Sequence, residues 1–215
     1  MKFFFLKDWV SPWRAYLAEF LGTFVVVFVT STAVLSLIFY GELDITGVAI
    51  ASGLAYAVMV FATVHLSGGH LNPAVTLALW LGQKISGQVA FFYTSAQILA
   101  GIAACLVVFY LFGVRSLDFA LGGPLLGADT SLATALVAEA IFSSILVLVY
   151  FATMVDRRGP TSFGPMVVGF VMIFATLILL PMTGASLNPA RAIGASAFSQ
   201  VNDGLIVSVA GPMVG

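Results

Sequence analysis

Long apolar runs alternate along this chain with short polar or glycine-rich segments. Five runs approach or exceed the roughly 20 residues that an α-helix needs to cross a bilayer about 30 Å thick, and they cover Tyr16–Tyr40, Ile45–Leu66, Val89–Phe112, Leu132–Met154 and Met166–Met182. A sixth run begins near Gly204 and stops about halfway across, at Gly215. The pattern predicts an all-α membrane protein with six transmembrane helices, the sixth of them truncated in this chain.

Two shorter apolar segments stand apart from these runs. Asn72–Gly82 lies between the second and third runs, and Asn188–Phe198 follows the fifth. Each has about ten residues, and a helix of that length rises about 15 Å, or half of a bilayer. We therefore predict two re-entrant half-helices that enter from opposite faces and meet at their N-termini.

The two halves of the chain resemble each other. Asn-Pro-Ala occurs twice, and the residues from Gly53 to Thr63 resemble those from Gly169 to Thr176 at the same spacing. Each unit holds three full crossings, an odd number, so the second copy must be upside down. We predict one channel domain over residues 1–215, with inverted repeats at approximately 14–113 and 131–215, an arrangement that recurs in transport proteins.

Composition agrees with a lipid environment. The chain is 61% hydrophobic and 8% charged, whereas soluble domains carry about 25% charged residues. The net charge of −1 gives no basis for a nucleic-acid partner.

The distribution of Lys and Arg predicts the orientation, because cytoplasmic loops carry an excess of both. With the N-terminus in the cytoplasm, Arg115 and Arg191 lie outside, and the remaining basic residues lie inside: Lys2, Lys7, Arg14, Lys84, Arg157 and Arg158. We expect a multi-pass protein of the cell membrane whose N-terminal aromatic residues, Phe3–Phe5, Trp9 and Trp13, sit at the lipid headgroups.

The repeated tripeptide has a physical meaning at the start of a helix. Asn is a favoured N-cap and Pro suits the first helical position, and irregular backbone at membrane depth is tolerated beside a water-filled cavity. Each N-terminus also carries roughly half a positive charge. We therefore predict that two motifs set an electrostatic barrier at mid-pore, where both Asn side chains offer N–H donors to neutral solutes: Asn72-Pro73-Ala74 and Asn188-Pro189-Ala190.

A charged residue inside an apolar run is costly in a membrane and therefore suggests a functional role. Glu19 and Glu139 hold equivalent positions in the two repeats, so we predict structural acceptors for the loop N–H groups that precede the half-helices. A proton-coupling carboxylate is the alternative. Arg191 follows the second tripeptide, where the first repeat has Val75, and it is predicted to line the pore and repel cations.

His70 precedes the first tripeptide by two residues. It is expected either to line the cytoplasmic vestibule or to brace its loop through a hydrogen bond. Neither a Cys/His cluster nor a second ligand at helical spacing accompanies it, so we predict no metal and no other cofactor. Without a nucleophile–base pair, an enzyme is also not expected.

Together these residues resemble the aquaporin superfamily, the major intrinsic proteins. The resemblance covers nearly the whole chain and rests on the two Asn-Pro-Ala motifs, the Ser67–His70 approach to the first, Arg191, the pair of buried acids, and Ala96-Gln97 in the third run. It implies six helices with two half-helices, one pore per protomer and a homotetramer in the lipid bilayer.

In this family four positions form an outer constriction, and the matching residues here are Ser52, Thr176, Ala185 and Arg191. Strict water channels usually carry an aromatic residue at the first position and His at the second. Glycerol-type members usually have aromatics at the first and third and Asp after the Arg, where this chain has Ala192. Small side chains at three positions predict a wide ring, which resembles that of plant nodulin-like members that pass metalloid hydroxides.

The resemblance therefore implies a passive channel for water and small uncharged solutes (glycerol, urea or undissociated metalloid acids) that excludes protons and ions. Two alternatives stay open. One is a strictly water-selective channel, and the other is a coupled secondary transporter with inverted repeats, which would need an unpaired titratable residue at the midplane.

Overall fold

The computed structural model of the chain describes residues 12–156, 158–159, 161–199, 201 and 204–215. The predicted interfacial residues Phe3–Phe5 and Trp9 lie outside this range, as do Lys2, Lys7 and Arg157. Within it the α-helices are α1 (Pro12–Tyr40), α2 (Ile45–Ser67), α3 (Pro73–Leu81), α4 (Gly87–Phe112), α5 (Leu132–Tyr150), α6 (Gly164–Thr183), α7 (Pro189–Ser196) and α8 (Leu205–Val214).

The predicted all-α membrane fold is confirmed, because α1, α2, α4, α5 and α6 are long and apolar enough to cross a bilayer. α3 and α7 are the two short helices expected after the Asn residues, and α8 is the short apolar helix of the sixth run. Several helices begin or end at residues other than the ends of the apolar runs in the sequence. Pro12 occupies the first turn of α1, and the Ser86 hydroxyl accepts a hydrogen bond from Val89 N at the start of α4, so both helices begin before their apolar runs.

α5 ends in a way that the apolar pattern does not predict. Beyond Tyr150 the chain continues as a π-helical turn from Phe151 to Val155, closed by a bond of 2.9 Å from Asp156 N to Phe151 O. A single π turn at the end of an α-helix moves the following residues relative to the helix axis.

The turn after this π segment is closed by Asp156 and Arg158. The carboxylate accepts hydrogen bonds from Arg158 Nη2 at 2.6 Å and Arg158 N at 3.0 Å, and these bonds lower the pKa of Asp156 to about 2. Because the pKa is lowered, the ion pair stabilises the folded protein fully above the pKa of Asp in the unfolded chain, about 3.9. This stabilisation is lost only as the pH falls toward 2. Changes around neutral pH therefore leave this exposed turn unaltered.

The two halves of the molecule have matching neighbours. In the first half α1 packs against α2 and α4, and in the second half α5 packs against α6 and α8. The most extensive helix pair, α2 with α6, joins the halves. Their backbones approach closely at Gly53 and Gly169, which are equivalent residues in the repeats.

The approach at these glycines is reciprocal. A Cβ atom on Gly53 would lie 2.5 Å from Gly169 O, and one on Gly169 would lie 2.7 Å from Gly53 O. Both distances are shorter than real Cβ contacts, so any larger residue would push the helices apart.

We expect Gly53→Val and Gly169→Val each to lower the free energy of unfolding by about 1–3 kcal/mol or more, as overpacked cores do. The measurement is thermal unfolding of the purified protein in detergent. Gly87→Ala is the matched control, because its Cβ would first meet Trp80 Nε1 at 3.3 Å and Ala favours a helix over Gly by about 1 kcal/mol. A Gly53→Val protein as stable as the parent would contradict the close crossing.

Candidate functional site

The half-helices α3 and α7 begin at buried Asn residues. Asn72 Oδ1 accepts a hydrogen bond of 2.9 Å from Ala74 N, and Asn188 Oδ1 accepts one of 3.0 Å from Ala190 N. Pro73 and Pro189 fill the first helical position. Both caps therefore have the local geometry expected from the tripeptide, and each leaves its side-chain NH2 group directed away from its own helix.

The two NH2 groups connect the half-helices to each other. Asn72 Nδ2 donates to Leu187 O at 2.7 Å, and Asn188 Nδ2 donates to Leu71 O at 2.9 Å. Each bond thus reaches the loop that precedes the other half-helix, so the two N-termini meet. An amide NH2 group has two hydrogens, and the bond to the opposite loop uses one of them on each Asn.

The residues that receive these bonds have unusual backbones. Leu71 and Leu187 have φ values of 52° and 51°, a left-handed conformation that is rare for a branched residue. Such strain persists where the surroundings over-determine it and is common at functional sites. Neither leucine was predicted from the sequence, because Leu carries no signal for a left-handed conformation.

Glu19 is fully buried and holds the first pore loop in place. Its Oε1 accepts from Ser67 Oγ at 2.6 Å and His70 N at 3.0 Å, and its Oε2 accepts from Leu71 N at 2.7 Å and Gln97 Nε2 at 2.8 Å. The carboxylate therefore satisfies donors that have no helical partner.

Glu139 repeats the pattern in the second half. Its Oε1 accepts from Thr183 Oγ1 at 2.5 Å and Ser186 N at 2.8 Å, and its Oε2 accepts from Leu187 N at 2.8 Å. The geometry of both acids is that of a structural acceptor, which favours this role over proton coupling.

Arg191 lies in the first turn of α7 and is almost completely buried. Its Nη1 donates to Gly184 O at 2.8 Å and Ala185 O at 2.9 Å, and its Nη2 donates to Gly122 O at 2.9 Å. Among the described residues, Nε has no partner. The guanidinium is thus fixed by backbone carbonyls.

Gly122 ends the 3-10 segment Val114–Gly122, in the loop between α4 and α5. This loop therefore reaches the charged group at the start of α7. The sequence does not predict the contact, because a backbone carbonyl has no residue-specific signature, although the Gly122-Gly123-Pro124 run indicates a turn.

The other predicted positions of the outer ring are also buried. Ser52 lies on α2 and its hydroxyl donates to Val48 O at 2.7 Å. Thr176 lies on α6, and Ala185 (φ 49°) lies in the loop before α7, where its carbonyl contacts Arg191. The structure thus places Ala185 against the Arg, with Ser52 and Thr176 on the two helices that cross at Gly53 and Gly169.

His70 faces its own loop and the neighbouring helices. Its Nδ1 lies 3.1 Å from Thr76 Oγ1, and its ring packs edge-on against Tyr93 and Tyr150 at centroid distances of 5.0 and 6.2 Å. Of the two roles considered for it, the bracing hydrogen bond has a partner in the structure.

Three tyrosines from three helices bind carbonyls at the end of α2 and in the loop that follows it. Tyr56 OH donates to His70 O at 2.7 Å, Tyr93 OH to Ser67 O at 3.0 Å and Tyr150 OH to Gly68 O at 2.6 Å. In the second half, Arg191 donates to Gly184 O, the counterpart of Gly68 O, and to the next carbonyl, Ala185 O. These tyrosines were missed by the sequence analysis, although Tyr56 could have been noticed one turn after Ser52 on α2.

The described part of the chain also bears on the question of a metal centre. No group of three or more His, Cys, Asp or Glu side chains is placed to hold a metal ion there. Cys105 is a buried free thiol in an apolar cluster.

Comparison with known proteins places this geometry in a family. Residues 6–215 match the sequence model of the family described as Major intrinsic protein. The chain is 36% identical over 197 residues to Aquaporin Z of Photorhabdus laumondii subsp. laumondii, covering 86% of this chain and 84% of that protein. It is 34% identical over 187 residues to Glycerol uptake facilitator protein-like 6 of Lactiplantibacillus plantarum, with the same coverage of 86% and 84%.

Similarity extends to a solved structure. The aquaglyceroporin from Plasmodium falciparum superposes with a TM-score of 0.84 at 27% identity, over 95% of this chain and 92% of that one. The predicted membership of the superfamily is confirmed by these matches.

Proposed function

Because this chain belongs to the major intrinsic protein family of channel proteins and is an integral, multi-pass membrane protein, we propose that it conducts water and small uncharged solutes passively and excludes protons and ions. The solutes are glycerol, urea or undissociated metalloid acids. The observation that supports the proposal is the contact of Ala185 O with the buried Arg191 guanidinium, together with the small side chains at the two other expected ring positions, Ser52 and Thr176.

The mechanism is an exchange of hydrogen bonds along the pore. A solute accepts from the free Nε–H of Arg191 and then from the second N–H of Asn188 and Asn72. Its own hydroxyl or amide hydrogens are donated to loop carbonyls. A proton or metal cation meets the charge of Arg191 and then the positive ends of α3 and α7, which repel it.

A wide outer ring follows from side-chain size. None of Ser52, Thr176 and Ala185 carries an aromatic ring, so steric rejection of a three-carbon polyol at this level is weak. The hydroxyl of Ser52 is bonded to Val48 O, so its oxygen offers an acceptor rather than a donor. We therefore expect the ring to admit solutes larger than water.

Oligomeric state and location belong to the same proposal. We infer a homotetramer in the cell membrane, with a cytoplasmic N-terminus and one pore in each protomer. The resemblance to the family supports the tetramer, and the distribution of Lys and Arg supports the orientation.

The decisive experiment is stopped-flow light scattering on proteoliposomes that contain the protein. Osmotic shrinkage reports water permeability, and re-swelling reports glycerol or urea entry, each compared with empty liposomes. Solute entry above the empty-liposome rate supports the proposal. Water flux without solute entry would favour the strictly water-selective alternative, and solute flux that depends on a proton or sodium gradient would favour a coupled transporter.

Ser52→Phe is expected to lower glycerol and urea permeability by about tenfold, because the ring narrows the constriction and a barrier raised by about 1.4 kcal/mol lowers a rate by a factor of ten. Water permeability should fall less. Leu54→Phe is the matched control, since Leu54 lies two residues further along α2 and is exposed on the lipid side. Unchanged glycerol entry in Ser52→Phe would mean that Ser52 does not line the ring.

A further inference from the structure

Tyr56 stands on the same face of α2 as Ser52. Residues four apart lie above one another on a helix, and the lipid-facing side of α2 carries the exposed residues Leu54 and Val58. Tyr56 has no exposed surface and is the largest fully buried side chain among the described residues. It therefore lies one turn, or about 6 Å, deeper along α2 than the outer ring.

The ring of Tyr56 extends into the region where the two pore loops meet. It belongs to the same buried apolar cluster as Leu71, Leu187 and Ala185, which come from both loops. Its hydroxyl donates to His70 O at 2.7 Å, two residues before Asn72. The side chain thus extends from α2 toward Leu71 O and Leu187 O, the carbonyls that accept hydrogen bonds from the two Asn side chains.

The other half of the molecule has a different residue at this place. At the spacing that relates Gly53 to Gly169, the counterpart of Tyr56 is Met172 on α6. Met is unbranched and adapts its shape, whereas the Tyr ring is rigid and is held at its far end by the bond to His70 O. The duplication is therefore broken by one bulky, fixed side chain.

We propose that Tyr56 is a specificity-determining residue that forms a second, inner constriction and sets the largest solute the pore passes. The inference rests on the proposed channel function. Two constrictions in series limit flux at the narrower one, and the outer ring consists mainly of small side chains. The hydroxyl hydrogen is used on His70 O and the ring has no exposed surface, so a solute passes this level only when the ring is displaced.

The test compares Tyr56→Val with Tyr56→Phe in the same proteoliposome assay, using glycerol as the probe. Tyr56→Val should raise the glycerol-to-water permeability ratio by about tenfold, the change that a barrier lowered by about 1.4 kcal/mol produces. Tyr56→Phe keeps the ring and should keep the ratio. An equal rise in both variants would overturn the proposal, because the hydrogen bond to the loop, rather than the ring, would then set selectivity.

Tyr110→Val and Tyr110→Phe are the controls. Tyr110 lies on α4 and is exposed, away from both pore loops. Removing its ring should leave the ratio unchanged if it is the position of the Tyr56 ring that matters. A rise in Tyr110→Val equal to that in Tyr56→Val would overturn the proposal.

Two further outcomes separate this inference from the proposed function. A parent protein without water flux would contradict the channel itself, whereas a conducting parent whose ratio is unchanged in folded Tyr56→Val would overturn only the inner constriction. Should Tyr56→Val fail to give a single symmetric peak in size-exclusion chromatography, Tyr56→Trp replaces it. The larger ring is expected to lower glycerol permeability more than water permeability, and an unchanged ratio in Tyr56→Trp would overturn the proposal equally.

Discussion

Replacing Glu19 by Leu is expected to prevent most of the protein from folding. The carboxylate accepts four hydrogen bonds, two of them from backbone N–H groups of the loop before α3. A buried donor left without an acceptor costs about 1–3 kcal/mol, so the loss of several bonds is comparable with the 5–15 kcal/mol that stabilises a typical protein. The measurements are the yield of monodisperse protein and its unfolding temperature in detergent.

Two variants show whether the lost acceptor is the cause. Glu42→Leu removes the same charge from an exposed loop position and should leave yield and unfolding temperature unchanged. Glu19→Gln keeps one acceptor oxygen and should be intermediate. A stable Glu19→Leu protein with normal water flux would contradict the structural role. A parent protein whose solute flux depends on a proton gradient, and a well-folded Glu19→Gln protein whose solute flux does not, would support proton coupling instead.

The positions of the helices could be predicted from the sequence more fully than their ends. The long helices were predictable, because a bilayer requires about 20 apolar residues and each run supplies them. Their ends were less so, since Pro12 and Ser86 start helices by local backbone chemistry outside the apolar runs. The π turn after Tyr150 was not predicted, because its apolar residues fit an α-helix equally well.

At the candidate site, the important side chains could be predicted from the sequence, whereas their contacts with the backbone could not. Asn72, Asn188 and Arg191 were identifiable because a cap or a charge at membrane depth is unusual. Their bonds to Leu71 O, Leu187 O and Gly122 O were not, because the direction of a carbonyl depends on φ and ψ and on residues far away in the chain. The tyrosine contacts were missed for the same reason, since a Tyr on an apolar helix normally reads as packing.

Arg191→Val is expected to raise proton permeability by at least about tenfold while water continues to pass. Water screens the buried guanidinium only weakly from a cation in the pore. Two like unit charges 4 Å apart repel by about 4 kcal/mol at an effective dielectric constant of 20. The positive ends of α3 and α7 remain, so part of this barrier is retained. Val is the residue that the first repeat carries at the equivalent position, Val75. The measurement is a pH jump across proteoliposomes that contain a pH-sensitive dye, with the membrane potential clamped.

Charge and geometry are separable at this position. Arg191→Lys keeps a cation but lacks the planar fork that bonds Gly184 O, Ala185 O and Gly122 O together. It should therefore still exclude protons, while solute entry changes because the loops are held less firmly. Arg158→Val removes a charge from the exposed turn, where Arg158 is paired with Asp156, and should alter neither flux. An Arg191→Val protein that conducts water with no rise in proton leak would assign the whole barrier to the half-helix N-termini and to Asn72 and Asn188.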